Sequence, residues 1–190
     1  MLQRIRTSKE LSPYLHEVIE DAGIEVGVAE NVSPEEYAAV KVDDYYAGQN
    51  MSTPPKSVDF VVTVDCQCDA YVMYILEFKN VSKASGLDIH DIQEKFQNTI
   101  DDFLCTRFAS IYLDDKYKYK AIKLYLVSDA YGIGKNFPNF EEYRRVAERT
   151  GKQDTLKTEI SLGSKIYRFK GKLLTIGYDI PPNPIIQKIL

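Results

Sequence analysis

The chain has 190 residues, 44% of them hydrophobic, and a formal net charge of −4. This length and composition predict a single domain over residues 1–190. No apolar run approaches the length of about 18 residues that a membrane span needs, and no membrane partner is expected. The N-terminus lacks the apolar segment of a secretory signal, and three cysteines are too few for a disulfide framework. A reduced, cytoplasmic protein is therefore expected.

Hydrophobic periodicity and turn residues predict the order of the elements. In chain order these are helices over 8–22 and 33–45, a loop over 51–55, strands over 58–65 and 71–80, a helix over 88–108, a strand over 121–127, a helix over 140–149, and short strands over 160–162, 165–169 and 173–177. This order predicts an α/β fold in which helices flank a mixed β-sheet. The core is expected over about residues 8–127, followed by a basic C-terminal elaboration over residues 128–190.

Charge is distributed unevenly along the chain. Residues 1–115 carry 9 basic and 21 acidic side chains, a net of −12, whereas residues 116–190 carry 15 basic and 7 acidic, a net of +8. A basic segment fits a polyanionic ligand bound by one face, and it fits a solvated lysine-rich surface equally well. The candidate nucleic-acid-binding residues are Lys116, Lys118, Lys120, Arg168, Lys170 and Lys172. The first three alternate with tyrosines, although a solvated loop would have the same composition.

The two strongest strands are expected to form a hairpin that brings two carboxylates together. Side chains alternate between the faces of a strand, so the even-numbered apolar residues of both strands form one face that should pack on the core. Asp59, Glu77 and Lys79 lie on the opposite face. A three-residue loop centred on Cys68, nine residues from each acid, would place Asp59 directly opposite Glu77. A two-residue turn would put the two acids on different faces.

Two facing carboxylates repel each other unless a positive charge lies between them. Mg²⁺, for which Mn²⁺ can substitute, favours oxygen ligands and keeps waters that can react. The pattern therefore predicts Mg²⁺ held by Asp59 and Glu77, with Lys79 placed to orient or deprotonate the attacking water. The alternative is a surface ion-pair cluster of the same three residues on an exposed sheet face.

An acid at the start of one strand and Glu-x-Lys on the next resemble the PD-(D/E)XK nuclease superfamily, which includes many restriction endonucleases and Holliday-junction resolvases. The resemblance covers residues 56–127, and Val58 stands where the superfamily motif has proline. It implies a restriction endonuclease-like core, Asp59 and Glu77 as metal ligands, and Lys79 as the catalytic lysine.

The resemblance also implies two auxiliary residues. The first is a further acid from the N-terminal region, for which the candidates are Glu17, Asp21, Glu36, Asp43 and Asp44. For each of them taken singly, a solvated helix charge is the favoured alternative. The second is a polar residue from the helix after the lysine strand, for which Gln93 is the catalytic candidate; a glutamine at the boundary of the helix's apolar stripe is the alternative.

Other chemistries lack the residues that they need. His16 and His90 are too few for a histidine-metal nuclease, and the three cysteines lack the paired spacing of a zinc site. The resemblance thus implies a Mg²⁺-dependent endodeoxyribonuclease of restriction or defence type. Because each chain carries one site, cutting both DNA strands would favour a homodimer. The alternative is a non-catalytic DNA-binding or partner-binding protein on the same scaffold.

Overall fold

A six-stranded mixed sheet forms the centre of the computed structural model, which describes residues 1–151 and 154–189. The strands are β1 (Leu15–His16), β2 (Glu20–Asp21), β3 (Ile24–Glu25), β4 (Tyr37–Lys41), β5 (Phe60–Asp65), β6 (Ala70–Phe78), β7 (Lys118–Val127), β8 (Tyr167–Phe169), β9 (Lys172–Leu174) and β10 (Ile176–Asp179). The α-helices are α1 (Leu2–Thr7), α2 (Val42–Ala47), α3 (Ile89–Asn98), α4 (Ala109–Tyr112), α5 (Phe140–Thr150) and α6 (Leu156–Gly163). A π-helical segment (Thr99–Arg107) joins α3 to α4, and 3-10 turns lie at Ser12–Tyr14, Pro34–Glu36, Ala84–Gly86 and Ile133–Lys135.

The strands of the main sheet follow the order β1-β4-β5-β6-β7-β10. The first four pair antiparallel, whereas β7 is parallel to both β6 and β10. Parallel neighbours need a crossover connection, and α3, the π-helical segment and α4 supply it between β6 and β7. The predicted mixed α/β sheet with flanking helices is therefore confirmed.

Both faces of this sheet are buried. On one face Met73 belongs to a cluster with Phe96 of α3, and on the other face Tyr74 belongs to a cluster with Ile186. The sequence predicts a core only on the face of Tyr74, because the run of alternating apolar residues is most regular there. The helical crossover between β6 and β7 covers the other face as well.

The hairpin of β5 and β6 has the predicted register. Phe60 pairs with Leu76, so opposed residues lie symmetrically about Cys68. The three loop residues, 67–69, all have positive φ, at 67°, 52° and 57°. A loop with an odd number of residues is thereby confirmed. It places the odd-numbered residues of both strands on the same face of the hairpin.

The N-terminal part differs from the prediction. Residues 8–22 do not form a helix but contain a 3-10 turn at Pro13 and the short strands β1 and β2. The capping box of Ser33 and Glu36 is present, yet it starts a single 3-10 turn, after which the chain enters β4. Pairing of β4 with β5 buries its side chains, and this tertiary gain outweighs the local helix signal.

The later elements follow the prediction more closely. The helix over 88–108 corresponds to α3 and the π-helical segment, and the helix over 140–149 corresponds to α5. Residues 160–162 were assigned wrongly as a strand, since they lie in α6. In the described part of the chain, no helix has both the length and the apolar character needed to cross a bilayer.

Candidate active site

Asp59 and Glu77 lie opposite each other at one end of the β5–β6 hairpin. Because Phe60 pairs with Leu76, the register places Asp59, the residue before β5, across from Glu77 near the end of β6. Asp59 is 5% exposed and Glu77 is fully buried. The alternative of an exposed ion-pair cluster is therefore wrong. Burial also strengthens the repulsion between the two carboxylates several-fold relative to water.

The two oxygens of Glu77 have different surroundings. Oε1 accepts a hydrogen bond from Lys95 Nζ at 2.7 Å and forms an ion pair with Lys79 Nζ at 2.8 Å. Oε2 is buried and has no hydrogen-bond partner among the described residues. A buried oxygen of an ionised carboxylate is costly to leave unpaired, so Oε2 is a position where a further ligand would be stabilising.

Lys95 is a site residue that the sequence analysis missed. It projects from α3 to Glu77, and its side chain is 19% exposed. Burial lowers the pKa of Lys95, but the charge of Glu77 and the hydrogen bond to it outweigh burial, so that the pKa is raised. The only signal for this role in the sequence is the position of Lys95 beside the buried Phe96. That signal is weak, because a lysine beside an apolar stripe usually keeps its ammonium group in solvent.

Gln93 lies on the other flank of α3 from Lys95. Its side-chain amide donates to the Ser161 carbonyl oxygen of α6 at 2.8 Å. The backbone carbonyl oxygen of Gln93 accepts a hydrogen bond from Tyr167 Oη at 3.2 Å. Gln93 therefore connects α3 to the C-terminal elements. The residue of α3 that contacts the acid pair is instead Lys95.

Lys79 follows β6 directly and is held by its backbone. Its N–H donates to the Val127 carbonyl oxygen at 3.0 Å, and its carbonyl oxygen accepts from Ser128 Oγ at 2.5 Å. Its side chain is 28% exposed, more than that of Lys95. Lys79 therefore links the buried Glu77 to solvent. The structure brings together the three residues of the predicted motif.

Asp59 is fixed by contacts on both sides of the hairpin. Its Oδ2 accepts from the Phe78 N–H at 2.6 Å, and its carbonyl oxygen accepts from the Val42 N–H at 2.8 Å. Burial, and then the charge of Glu77, raise the pKa of Asp59 to about 8, while the Phe78 amide and Lys95 act in the opposite direction. The acid pair therefore holds a proton readily when no cation is present.

Two of the candidate third acids lie near Asp59. The charge of Asp21 contributes to the raised pKa of Asp59, and Asp21 Oδ1 accepts from Lys41 Nζ at 2.6 Å. Asp43 is the second residue of α2 and follows Val42, whose N–H bonds Asp59; its Oδ1 is buried without a hydrogen-bond partner among the described residues. Burial is the main cause that raises the pKa of Asp43.

The other three candidate acids have separate contacts. Glu36 caps the Ser33 turn and pairs with Lys188 at 2.6 Å, and Asp44 lies 3.8 Å from His16. Glu17 is exposed. None of these three has a contact with Asp59 or Glu77 in the described ranges.

The predicted nucleic-acid-binding residues lie at the opposite end of the sheet from the acid pair. Lys118 pairs with Ala70 at the start of β6, whereas Glu77 pairs with Leu126 near its end. The seven residue steps from Ala70 to Glu77 span about 23 Å along the strand. Lys170 bonds the Leu113 carbonyl oxygen at 3.0 Å, which places the β8–β9 hairpin at this same end. The structure therefore does not join the acidic and basic predictions into one site.

The remaining basic candidates differ in their freedom to bind a ligand. Lys118, Arg168 and Lys172 are exposed. Lys116 lies 3.9 Å from Asp114, and Lys120 donates to the Ile189 carbonyl oxygen at 2.9 Å.

The oxygen atoms of the acid pair fit a hard divalent cation. Glu77 Oε2 is buried and unpaired, and Asp59 supplies a second carboxylate across the hairpin. Mg²⁺ binds through one or two carboxylates and retains several waters. No group of three or more His, Cys, Asp or Glu able to hold a metal is found within residues 1–151 and 154–189. A cation at this pair would therefore rely on water or substrate oxygens for its remaining ligands.

Comparisons with known proteins find no match, so the geometry of the site is the basis for the proposed function. No protein-family model, no curated protein and no solved structure matches the chain.

Proposed function

We propose that this protein is a Mg²⁺-dependent endonuclease that hydrolyses phosphodiester bonds, most simply those of DNA, in a restriction or defence role. The observation that carries the proposal is the buried pair of Asp59 and Glu77, with Oε2 of Glu77 unpaired and two lysines at Oε1. Such an arrangement is expensive as a stabilising device, because a buried ion pair rarely recovers its desolvation cost. The arrangement resembles the PD-(D/E)XK motif, and a catalytic role would explain why such a costly buried pair is present.

Each residue of the site has a distinct role in this proposal. Asp59 and Glu77 bind Mg²⁺, which supplies Lewis-acid polarisation of a phosphate oxygen. Lys79, the more exposed of the two lysines, orients the attacking water. Lys95 holds Glu77 in position through its 2.7 Å hydrogen bond. Both ammonium groups also favour the negative charge that develops on the phosphoryl oxygens.

The substrate and the assembly are inferred from the same site. One acid pair per chain acts on one phosphodiester bond at a time, so we infer that a homodimer cuts duplex DNA.

A nuclease assay with the full-length chain tests the proposal. We expect Mg²⁺-dependent cleavage of plasmid DNA, and a loss of about 100-fold or more in Asp59→Asn and Lys79→Ala, since preorganised charges in an active site contribute on this scale. Asp69→Asn and Lys83→Ala are matched controls, because both residues are exposed and lie outside the site. Parallel assays on single-stranded DNA and RNA define the substrate class. Full activity in both site variants would exclude this site.

A second candidate function is a non-catalytic DNA-binding or partner-binding protein on the same scaffold. The observation that favours it is the double contact of Glu77, since two lysines can neutralise the acid pair without a cation. The 23 Å separation, about the length of β6, between the acids and the basic candidates also favours it. Titration calorimetry with Mg²⁺ and Mn²⁺ separates the two functions: binding that Glu77→Gln abolishes supports the enzyme, and no binding supports the scaffold.

A further inference from the structure

Strand β10 is the outer strand of the main sheet on the side away from the N-terminal strands. In the described part of the chain it pairs only with β7. The Asp179 carbonyl oxygen accepts from the Ser128 N–H at 3.0 Å, so Asp179 directs its backbone groups toward β7. Backbone direction alternates along a strand, and Ile176 and Tyr178 therefore direct their N–H and C=O groups outward.

A groove runs along this outward edge. It has a volume of about 800 Å³, and residues 175–179 line it without a gap. Consecutive residues project to opposite faces of a strand, so an unbroken lining places the groove along the backbone edge rather than over one face. Leu156 and Ile160 of α6 and Phe140 of α5 form its apolar wall.

Two of the exposed apolar side chains, Leu156 and Ile160, line this edge. Among the described residues, the large hydrophobic side chains that remain exposed are Val18, Val146, Leu156, Ile160, Ile166 and Leu173. All except Val18 belong to the segment from α5 to β9, and Ile160 in the groove wall is 62% exposed. Sheet edges are normally protected by lysine, proline or a covering element, and an apolar wall beside an open edge is instead typical of a binding surface.

The groove is acidic as well as apolar. Glu141, Glu159 and Asp179 line it, together with one basic residue, Arg144. Arg144 Nε lies 3.5 Å from Glu159 Oε2, and Glu141 pairs with Arg145, so Asp179 is the lining acid that has no basic partner among the described residues. This charge balance favours a cationic occupant and disfavours a second copy of the chain docked edge to edge, because each copy would present the same acidic groove.

We propose that this groove binds an extended basic and apolar segment of a partner protein, which adds to the sheet as a further strand beside β10. The outward backbone groups of Ile176 and Tyr178 hydrogen-bond the segment. Its apolar side chains contact Leu156 and Ile160, and a lysine or arginine of the segment pairs with Asp179. This mode of recognition draws affinity from the backbone and specificity from alternate side chains. It is independent of the acid pair at Asp59 and Glu77.

Fluorescence anisotropy with the full chain and labelled synthetic peptides tests the proposal. The probe is a peptide in which valine and lysine alternate, and its two companions carry glutamate in place of lysine or N-methyl groups on alternate amides. We expect both companions to bind at least about tenfold more weakly, since one loses charge pairing and the other loses the strand hydrogen bonds. Equal binding of all three peptides, or no binding of the first, would overturn the proposal.

A matched pair of variants locates the binding. Ile160→Ser should weaken the valine–lysine peptide by about fivefold or more, whereas Val18→Ser, at a similarly exposed apolar side chain outside the groove, should bind as the unchanged protein does. Circular dichroism confirms that both variants are folded. Sedimentation measurements supply the last outcome: a dimer that dissociates in Ile160→Ser would assign the groove to a second copy of the chain and overturn the peptide proposal.

Discussion

At the scale of single residues, the burial of Glu77 is the largest cost that its partners do not fully compensate. Its carboxylate is fully buried, and within residues 1–151 and 154–189 only one of its oxygens has partners. Lys79 and Lys95 both contact that oxygen, so their positive charge compensates Glu77 on one side of its carboxylate only. Removing one partner of a buried ion pair costs more than the pair contributes, because the remaining charge is left without compensation.

Replacing Lys95 by methionine tests how much Lys95 compensates the buried Glu77. The variant keeps a similar volume but removes a charged hydrogen bond to Glu77, and we expect the free energy of unfolding to fall by about 2 kcal/mol. Urea denaturation of the metal-free protein measures the change. Lys83→Met is the control at an exposed lysine. Adding Glu77→Gln to Lys95→Met should recover part of the loss, since the uncompensated charge is gone; an additive double variant would contradict the assigned pairing.

The raised pKa of Asp59 gives stability a defined pH dependence without metal. The folded protein holds a proton on Asp59 up to about pH 8, whereas the unfolded chain loses it near the ordinary value of 3.8. Folding then binds a proton between these values, so this contribution to stability is fully present below the unfolded pKa and is lost as the pH rises through the folded pKa. We expect metal-free stability to fall as the pH rises from about 4 to about 8, which is the interval between the two pKa values.

Asp59→Asn isolates this effect from other groups. Asp179 and Asp43 also have raised pKa values through burial, and they contribute a slope of the same sign in both proteins. The difference in unfolding midpoint between Asp59→Asn and the unchanged chain should therefore grow with pH in favour of the variant. A constant difference would mean that Asp59 is already ionised in the folded protein at low pH. Mg²⁺ should reduce the slope only in the unchanged chain, because it binds the ionised carboxylate.

At the scale of elements, the hairpin was predictable and its neighbours were not. The register of β5 and β6 follows from alternation and an odd loop, and both are local properties of the sequence. Strand β4 depends on pairing with β5, which local helix signals at Ser33 and Pro34 conceal. The position of Lys95 against Glu77 depends on how α3 rotates over the sheet. The sequence could therefore supply Asp59, Glu77 and Lys79 but not the second lysine.

The loop at Cys68 offers a test of this register at the element scale. Cys68 has φ 52° and is exposed, a backbone conformation that glycine adopts freely and β-branched residues resist. We expect Cys68→Gly to be more stable than Cys68→Val by about 1 kcal/mol in denaturant unfolding. Both variants keep the loop length, so both should retain the opposition of Asp59 and Glu77 and any Mg²⁺ binding that depends on it.

Deleting Cys68 provides the opposite case. A two-residue loop moves the register by one residue and turns one strand's side chains to the other face. We expect this deletion to remove Mg²⁺ binding and to lower stability, since apolar and charged positions exchange faces. Retained binding at the original affinity would show that the acids do not act as an opposed pair.

At the scale of the whole molecule, the two charge centres occupy opposite ends of one sheet. The acid pair lies where β6 ends, and Lys118 lies where β7 begins, about 23 Å away along the strands. An acidic surround at the site repels phosphates, which only a cation and the two lysines offset. If both ends contact one nucleic acid, the basic end adds affinity without taking part in the reaction at Asp59 and Glu77.

This separation predicts a dependence on substrate length. A duplex rises about 3.4 Å per base pair, so about seven base pairs are needed to bridge the two ends. We expect Lys116→Ala with Lys118→Ala to weaken binding of a duplex well beyond that length and to reduce the slope of log affinity against log salt by about 2. The same variant should bind a four-nucleotide fragment, a length of about half the span, as the unchanged protein does.

Filter binding at several salt concentrations measures both substrates, with Lys135→Ala and Lys157→Ala together as a control that removes two exposed lysines elsewhere. If the basic end contacts the same DNA, only the first double variant should lose affinity, and only for the long duplex. An equal loss on the short fragment would mean that the basic residues act at the acid pair through long-range charge rather than by contact. No loss on either substrate would assign these lysines to the solvated surface that the sequence left open, and the DNA path would then follow Lys79 and Lys95 alone.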